Sequence, residues 1–553
     1  MRRRFQLAAL VLFSVLLGVV GAGFFQPDDD FFAIRKNFTI FGNLYEELSA
    51  GYVDDVDPET LMRTGIDAML GTLDPYTVFL DEADNEDMDI ITRGRYGGVG
   101  LGVDRRGGNL VVVVPFEGYS GYEQGVRAGD VIKTIDGQPT DELSSADVSN
   151  LLRGAPGSTV ELEIEREGEP GLLRFVLTRS EIRLNSVTYA GWIGEQSDGL
   201  GYVRLERFTQ GAADEVRAAI ERLSSEGNLE GFVLDLRGNP GGLLEEAVGI
   251  SSLFLPAAAV IVSVRGREAE TERTYRTRGT PVALDIPVAV LVNGSSASAS
   301  EIVAGALQDH DRAVIVGETT FGKGLVQIVR ALPYNTSLKM TTARYYTPSG
   351  RSIQAYTYGR DDTGRTSDAI PDSLRRAFQT MGGRTVMSGH GIEPDVMMSL
   401  GEFSELEEAL VRTAAFFLYA NRYAADHPAL PDGFAVDDAL LDDFQAYLAD
   451  EDFAYNTRAE RALDELEADL EAADYDATDD EIEGLRAELI DEKEADFERH
   501  APRLRERLRQ EILARYVGQT DQIRASLRAD AQLEEALGLL RDPSALDRTL
   551  ARN

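Results

Sequence analysis

Four short, mostly apolar runs in the middle of the chain restrict the fold more than any other feature. They cover residues 201–205, 231–236, 288–292 and 313–316, and helical patterns such as residues 213–223 lie between them. Continuous apolar runs of this length are typical of strands that are buried on both faces. The alternation of runs and helical patterns predicts an α/β layered sheet with helices packed against it.

The third run leads into a corner rich in small residues. The run PVAVLV is followed by an Asn-Gly turn and then by serines and alanines that open a helical pattern. At such a corner the first helical N–H groups are unpaired and the helix dipole is positive, so a developing oxyanion is stabilised there. The candidate nucleophiles are Ser296, Ser298 and Ser300. Taken alone, the corner is more often just a helix N-cap with close packing.

Few side chains could activate such a serine. The chain has four histidines, which leaves little material for a histidine-based triad. A lysine acts as a base when burial without a counter-charge lowers its pKa, whereas arginine stays protonated. Lys323 lies between Gly322 and Gly324, in a chain with five lysines and fifty arginines. Taken alone, Lys323 is more often a surface loop residue.

The SASAS corner, the FGKG segment and a glutamine four residues after the lysine occur in that order. This order resembles the signature of the carboxyl-terminal processing proteases, tail-specific serine peptidases with a Ser-Lys dyad. The resemblance implies that Ser298 is the nucleophile, Lys323 the general base and Gln327 the residue that holds the lysine. The residues alone leave Ser296 and Ser300 as competing nucleophiles, and the family's spacing favours Ser298.

The sequence LDLRGNPGG supplies the second part of the candidate site. Residues 233–236 indicate a buried strand, and Gly238, Gly241 and Gly242 allow a sharp turn whose N–H groups can face a ligand. The resemblance implies an oxyanion hole formed by the N–H groups of Ala299 and Gly242. An ordinary strand-to-helix turn is the alternative interpretation.

A second set of motifs precedes the first run. YGGVGLGV at residues 96–103 is followed by an apolar strand at 110–115, GVRAGDVI at 125–132 and IDG at 135–137. This order resembles a PDZ domain, which binds an extended peptide as an added strand and captures its C-terminal carboxylate with loop N–H groups. The predicted peptide-binding residues are Gly97, Gly98, Val99, Gly100 and Leu101.

This second region departs from the family at one place. Relatives usually carry a Pro-Ala pair where this chain has Ser120-Gly121, which predicts a different edge of the peptide groove. Arg153 is either an arginine that reports peptide binding to the active site, as in some relatives, or an exposed arginine without a special role.

Composition sets the wider limits. A chain of 553 residues is too long for one core, so three or four domains are expected. The absence of cysteine excludes disulfides and thiolate metal sites, and no two histidines stand at ligand spacing, so neither a metal nor a cofactor is predicted. The net charge of −40 argues against nucleic acid as a partner.

The N-terminus predicts export. Three arginines precede residues 5–25, which are apolar apart from Gln6 and Ser14 and long enough to span a bilayer. The segment is either a cleaved signal peptide or an uncleaved anchor in the inner membrane. Both options place the rest of the chain in the periplasm or cell envelope.

The predicted fold class is an α/β protease core with a crotonase-like layered sheet, an inserted or preceding α+β PDZ domain, and all-α N- and C-terminal regions. In the C-terminal region, leucine spacing predicts helices over residues 402–423, 437–449, 458–500 and 503–516, with a break at Pro502. The predicted division is 1–26 signal peptide or membrane anchor, 27–95 N-terminal helical region, 96–182 PDZ domain, 183–400 Ser-Lys protease core, and 401–553 acidic helical C-terminal domain.

Together these features predict an exported serine endopeptidase that binds protein C-terminal tails through its PDZ domain and cleaves through an acyl-enzyme. Homo-oligomerisation, and an adaptor bound to the C-terminal helices, are further options. Two alternatives come from other classes: a catalytically silent PDZ scaffold, and an acyl-transfer or hydratase enzyme on a related fold. The joint presence of Ser298, Lys323 and Gln327 argues against the scaffold, and the PDZ domain and export segment argue against the hydratase.

Overall fold

A computed structural model describes residues 29–551 apart from 268–271, 362–363, 400, 402, 432 and 474–478. The predicted export segment, residues 1–26, therefore lies outside the described residues. None of the helices described is both long and apolar enough to cross a membrane.

The strands described by the structure are named in chain order. They are β1 Val78–Leu80, β2 Arg95–Gly98, β3 Leu101–Arg106, β4 Asn109–Pro115, β5 Val131–Ile135, β6 Gln138–Pro139, β7 Thr159–Glu165, β8 Leu172–Thr178, β9 Ser180–Arg183, β10 Val187–Trp192, β11 Leu200–Leu205, β12 Gly231–Asp235, β13 Val260–Gly266, β14 Arg273–Arg276, β15 Val288–Val292, β16 Val314–Gly317, β17 Leu325–Ala331, β18 Ser337–Tyr346, β19 Tyr356–Asp361, β20 Gly364–Ala369, β21 Ala377–Gln379, β22 Thr385–Met387 and β23 Val396–Met397.

The α-helices are named in the same way. They are α1 Asp29–Gly51, α2 Pro58–Leu70, α3 Glu82–Arg93, α4 Ser120–Glu123, α5 Ser145–Leu152, α6 Ala212–Glu226, α7 Leu244–Phe254, α8 Ala299–Asp309, α9 Glu405–Arg412, α10 Ala415–Asp426, α11 Asp438–Asp450, α12 Arg458–Ala472, α13 Asp479–Glu494, α14 Asp496–Arg499, α15 Ala501–Leu513, α16 Gln519–Ser526, α17 Ala531–Arg541 and α18 Pro543–Leu550.

The chain divides into two compact units, and the smaller one comprises Met1–Asp81, Ile328–Thr341 and Tyr358–Ser367. Its described part contains α1 and α2, and β1 pairs antiparallel with the first residues of β18. The Asp74 carboxylate fixes the turn before β1, because it accepts hydrogen bonds from the N–H groups of Tyr76 and Thr77.

The larger unit contains a six-stranded sheet in the order β10-β11-β12-β15-β16-β23. All neighbours are parallel except β10, which runs antiparallel to β11. One face of the sheet packs against α6, α7 and α8, and the other packs against α16, α17 and α18. Val290 belongs to the first core and Leu291 to the second. Burial on both faces explains why the predicted strands are continuously apolar.

Parallel strands bring their following loops to one edge of the sheet. β12 and β15 are neighbours, with Asp235 opposite Leu291, and β16 lies beside β15. Three loops therefore emerge together: the glycine turn (residues 238–242), the serine corner (residues 293–300) and the lysine loop (residues 318–324). This edge is where ligands bind in open α/β sheets.

The larger unit also contains a second, antiparallel sheet in the order β3-β4-β5-β7-β8, with β6 beside β5. It encloses a small core that includes Val148 and Leu152 of α5. Strand β3 lies at the edge of this sheet, so its outer side is able to pair with an added strand.

The C-terminal helices form a fourth core around Phe416, Tyr419 and Phe444. The stretch at residues 402–423, predicted to be largely helical, contains two helices, α9 and α10, which are separated at Ala414, whose φ is +57°. Pro502 lies in the first turn of α15, where its missing N–H breaks no helical hydrogen bond. The break predicted at Pro502 lies two residues earlier, at His500, between α14 and α15.

Candidate active site

Ser298 sits at the sharpest point of the serine corner. It is the residue before α8, with φ +56° and ψ −110°, a conformation that side-chain-bearing residues rarely adopt. Its side chain is partly exposed, whereas every residue of α8 is buried. The N–H of Ala299 opens the helix beside it, and no acceptor for this N–H lies among the described residues.

The two neighbouring serines have a different environment. Ser296 and Ser300 are both fully buried. The Ser296 hydroxyl donates to the Leu236 carbonyl at 2.8 Å, and the Ser300 hydroxyl donates to the Asn239 carbonyl at 2.9 Å. Both hydroxyls therefore brace the backbone at the glycine turn, and Ser298 is the one of the three that a substrate can reach.

A buried carboxylate joins the serine corner to the lysine loop. Glu301 Oε2 accepts from the N–H of Ser298 at 2.7 Å and from the N–H of Lys323 at 2.9 Å. Its Oε1 accepts from the Thr320 hydroxyl at 2.6 Å and from the N–H of Gly322 at 2.7 Å. These four donors fill the acceptor positions of a carboxylate. Burial raises the pKa of Glu301, and the donors act in the opposite direction.

A tyrosine makes the second link between the same two segments. The Tyr345 hydroxyl lies within hydrogen-bond distance of the Ser298 carbonyl, at 3.1 Å, and of the Lys323 carbonyl. Tyr345 is buried, and its own N–H donates to the Gly324 carbonyl at 3.1 Å. Glu301 and Tyr345 thus hold the backbones of Ser298 and Lys323 from two directions.

The lysine loop leads directly into β17. The Lys323 side chain is half-buried, and the following N–H, that of Gly324, donates to Gln354 Oε1 at 2.8 Å. Gln327 is the third residue of β17 and is also half-buried. Lys323 and Gln327 therefore lie on one continuous segment, which is held by the Glu301 carboxylate at the N–H of Lys323 and continues into β17.

The glycine turn is pressed against the serine corner. The N–H of Ala297 donates to the Asn239 carbonyl at 3.0 Å, and the N–H of Gly241 donates to Asn239 Oδ1 at 2.9 Å. Gly241 has φ +100°, and a Cβ there would lie 2.7 Å from the Ala297 carbonyl oxygen and 2.9 Å from the Ser298 Cβ. Only glycine fits this contact. For the next N–H, that of Gly242, no acceptor is found within the described ranges.

The predicted carboxylate-binding loop has free donors. Val99 and Gly100 lie outside the strands, and within the part of the chain that the structure describes their N–H groups have no acceptor. The carbonyls of Gly97, Val99 and Gly100 accept from Gly154, Gly121 and Phe116, which holds the loop in shape. Gly98 pairs with Ser180 in the ladder between β2 and β9, and Leu101 begins the edge strand β3.

Two details of this region have physical explanations. A Cβ on Gly121 would lie 2.4 Å from Leu101 Cδ2, so the Ser120-Gly121 departure matches a close approach of α4 to the loop. Arg153 is not a simple exposed residue, since its guanidinium pairs with Asp87 and lies 5.6 Å from the centre of the Tyr96 ring.

Sequence reasoning missed Glu301, Tyr345 and Asn239. Glu301 stands three residues after Ser298, a spacing that also fits an ordinary capping residue, and this spacing was the one local signal available. Tyr345 and Asn239 have no local signal, because their partners are distant in the chain.

The described residues contain no group of acidic or histidine side chains arranged to hold a metal ion.

Comparison with known proteins identifies the parts of the chain. Residues 199–362 match Peptidase family S41, residues 111–166 match the PDZ domain, and residues 406–540 match a family described as Probable PDZ-protease, C-terminal helical domain. The protein is thus an enzyme of the serine peptidase class that carries a PDZ domain.

Individual relatives narrow the class. A Carboxy-terminal-processing protease of Bartonella bacilliformis is 38% identical over 322 residues, which cover 58% of this chain and 73% of the relative. A Carboxyl-terminal-processing protease of Synechocystis is 38% identical over 52% of this chain and 68% of its own length. A solved photosystem II D1 C-terminal processing protease is 30% identical and covers 65% of this chain and 92% of its own, with a TM-score of 0.36. The chain belongs to the carboxy-terminal-processing protease family.

Substitution of Gly241 tests the contact between the turn and the corner. We expect Gly241→Ala to lower kcat on the order of 10²-fold, because the added methyl group pushes the turn away from Ser298. Gly211→Ala is the matched control, since Gly211 has φ +96° but open space around its Cβ position. Steady-state kinetics on an unfolded protein substrate measures both variants, and equal kcat values in the two would contradict the prediction.

Substitution of Glu301 tests the link between the corner and the loop. Glu301→Gln replaces one acceptor oxygen with an NH₂ group that faces two N–H donors, so we expect kcat to fall on the order of 10²-fold. Glu221→Gln, on the exposed side of α6, is the control. Binding of a C-terminal tail peptide should be equal in both variants, and unchanged kcat in Glu301→Gln would exclude the role assigned to the carboxylate.

Proposed function

We propose that the protein is an exported endopeptidase that cleaves with a Ser298–Lys323 dyad and selects substrates by their C-terminal tails. The observation that supports this most directly is the joint hold of the Ser298 and Lys323 backbones by Glu301 and Tyr345. A scaffold protein has no need of a reachable serine and a lysine on two segments fixed to the same buried groups. This argues against the catalytically silent alternative.

In the proposed mechanism, the neutral amine of Lys323 takes the proton of the Ser298 hydroxyl as that oxygen attacks the scissile carbonyl. The N–H groups of Ala299 and Gly242 donate to the tetrahedral oxyanion, and the positive end of α8 adds to their effect. Lys323 then gives its proton to the leaving amine, and an acyl-enzyme on Ser298 remains. In the second step Lys323 takes a proton from water as the water attacks the ester, and then returns it to the Ser298 oxygen as that oxygen leaves. Gln327 orients the lysine in both steps.

Substrate selection is assigned to the PDZ domain. The N–H groups of Val99 and Gly100, which have no acceptor among the described residues, suit a terminal carboxylate, and the position of β3 at the edge of its sheet suits an extended peptide added as a strand. Tail binding is also proposed to switch the enzyme on, since the PDZ domain precedes the catalytic region in the chain. Four further features stay predictions: export by residues 1–26, homo-oligomerisation, an adaptor on the C-terminal helices and the crotonase-like layering of the core.

The dyad is tested by conservative substitutions. Ser298→Ala and Lys323→Arg should each lower kcat for an unstructured protein with an apolar C-terminus by roughly 10³-fold or more, because arginine keeps the charge but cannot accept the proton. Ser295→Ala and Lys133→Arg are the matched controls, since both residues lie apart from the Glu301 and Tyr345 contacts. Cleavage by Ser298→Ala at the wild-type rate would contradict the Ser298–Lys323 dyad and leave Ser296 or Ser300 as the nucleophile.

Selection of C-terminal tails is tested in two ways: by changing the terminus of a peptide ligand and by substituting a residue of the predicted carboxylate-binding loop. A peptide with a free C-terminal carboxylate should bind about tenfold or more tightly than its C-terminal amide, as fluorescence anisotropy would measure. Gly100→Ala should abolish this preference, because Gly100 has φ +74° and its Cβ would lie 2.3 Å from the Tyr119 Cβ. Gly108→Ala, with φ +81° and open space, should keep it. Equal affinity of wild type for acid and amide would refute carboxylate capture.

A further inference from the structure

Arg237 lies at the base of the glycine turn, and its guanidinium contacts both the central sheet and the C-terminal helices. Leu236 separates Arg237 from the end of β12, and Gly238 follows it directly. Its Nε and Nη2 donate to the two oxygens of Asp235 at 3.0 and 2.6 Å. Its Nη1 donates to Asp530 Oδ1 at 2.9 Å and to Gln532 Oε1 at 3.0 Å, and Nη2 also donates to Asp530 Oδ2 at 2.5 Å. All five N–H donors of the guanidinium are therefore used.

The partners of Arg237 come from two distant parts of the chain. Asp235 belongs to the central sheet, whereas Asp530 and Gln532 belong to the start of α17, almost three hundred residues later. The arrangement is shielded from solvent, since the Arg237, Asp530 and Asp235 side chains are 15%, 13% and 3% exposed. A bidentate arginine–carboxylate pair in such a place is geometrically specific, unlike a surface ion pair.

The C-terminal side of this contact is itself fixed. Asp530 is the N-cap of α17, and its Oδ1 also accepts from the N–H of Leu533 at 3.0 Å. Gln532 is fully buried, and its Nε2 donates to the Met398 carbonyl at 2.6 Å. Leu533 and Leu537 pack in the same core as Val233 and Leu291 of the sheet.

On the other side of the contact, Arg237 is joined through the backbone to the glycine turn, which carries the proposed oxyanion donor Gly242. The N–H of Arg237 donates to Asp235 Oδ1 at 2.9 Å, and the next N–H, that of Gly238, donates to Asn293 Oδ1 at 2.9 Å. A shift of the Arg237 guanidinium therefore changes the direction in which the chain enters the turn that ends at Gly242. Among the described residues of the C-terminal helices, the charged group that contacts this arginine is the carboxylate of Asp530.

We propose that Asp530 is a positioning residue for catalysis: by holding Arg237 it fixes the glycine turn, so that the C-terminal helical region completes the active site of this protease. The proposal rests on the oxyanion role assigned to the turn under the proposed function. It gives the C-terminal helices a part in the chemical step that is separate from any adaptor binding.

Two substitutions of Asp530 separate this role from simple helix capping. Asp530→Asn keeps a good N-cap but removes the charge and one acceptor for Arg237. Asp530→Glu keeps the carboxylate but is a poorer cap. Positioning predicts that kcat falls on the order of 10- to 100-fold in Asp530→Asn and less in Asp530→Glu, with KM within about twofold in both. Capping alone predicts the reverse order, and that result would overturn the proposal.

Asp542→Asn is the matched control, because Asp542 caps α18 through the N–H groups of Ser544 and Ala545 and does not contact Arg237. We expect its kcat to equal that of wild type. A loss in Asp542→Asn equal to that in Asp530→Asn would show that removing the charge of any capping carboxylate in this region lowers activity, and would also overturn the proposal.

Hydrogen exchange of the full-length protein gives a readout that does not depend on the nucleophile. Amides of residues 237–243 should exchange about tenfold faster in Asp530→Asn than in wild type or Asp542→Asn, because the turn loses an anchor. Unchanged exchange would refute the link between Asp530 and the turn. This result stands even if Ser298→Ala keeps full activity, which would overturn the dyad alone.

Discussion

The buried carboxylate of Glu301 is the interaction on which the candidate site depends. A charge without solvent is costly unless every acceptor position is filled, and here the donors come from both the serine corner and the lysine loop. Neither segment can move away without leaving acceptors of a buried charge unfilled. The folding of the two segments is therefore coupled, and Tyr345 repeats the coupling through their carbonyls.

The sheet supplies the framework for this coupling. Three consecutive parallel strands, β12, β15 and β16, end at one edge, and each is followed by one of the three loops of the site. The glycine turn is braced on one side by the hydroxyls of Ser296 and Ser300 and on the other by Arg237. Helices cover both faces of the sheet, so the strands that carry these loops are rigid, which suits a site that must hold small distances.

The sequence predicted the parts of this arrangement that have a local signal. The apolar run at residues 288–292 is β15 as observed, and the glycines after β12 form the turn that their spacing indicates. Glu301 was missed because its spacing from Ser298 looks like ordinary capping, while its other three partners, Thr320, Gly322 and Lys323, are brought near only because β16 lies beside β15. Asp530 had no signal at all, since its contact with Arg237 joins residues that only tertiary packing brings together. The break at Ala414, inside a stretch predicted to be largely helical, also has no local signal, because alanine normally continues a helix.

The backbone of Ser298 has a consequence for how such a chain changes over generations. At φ +56° and ψ −110° a glycine would relieve the corner, and the folded state would gain stability from the loss of the side chain. Selection for stability alone therefore drives this position toward glycine and erases the hydroxyl. A lineage that retains a serine here is under selection for what the hydroxyl does, and a glycine at the same place would mark a descendant that has kept the fold and abandoned the chemistry.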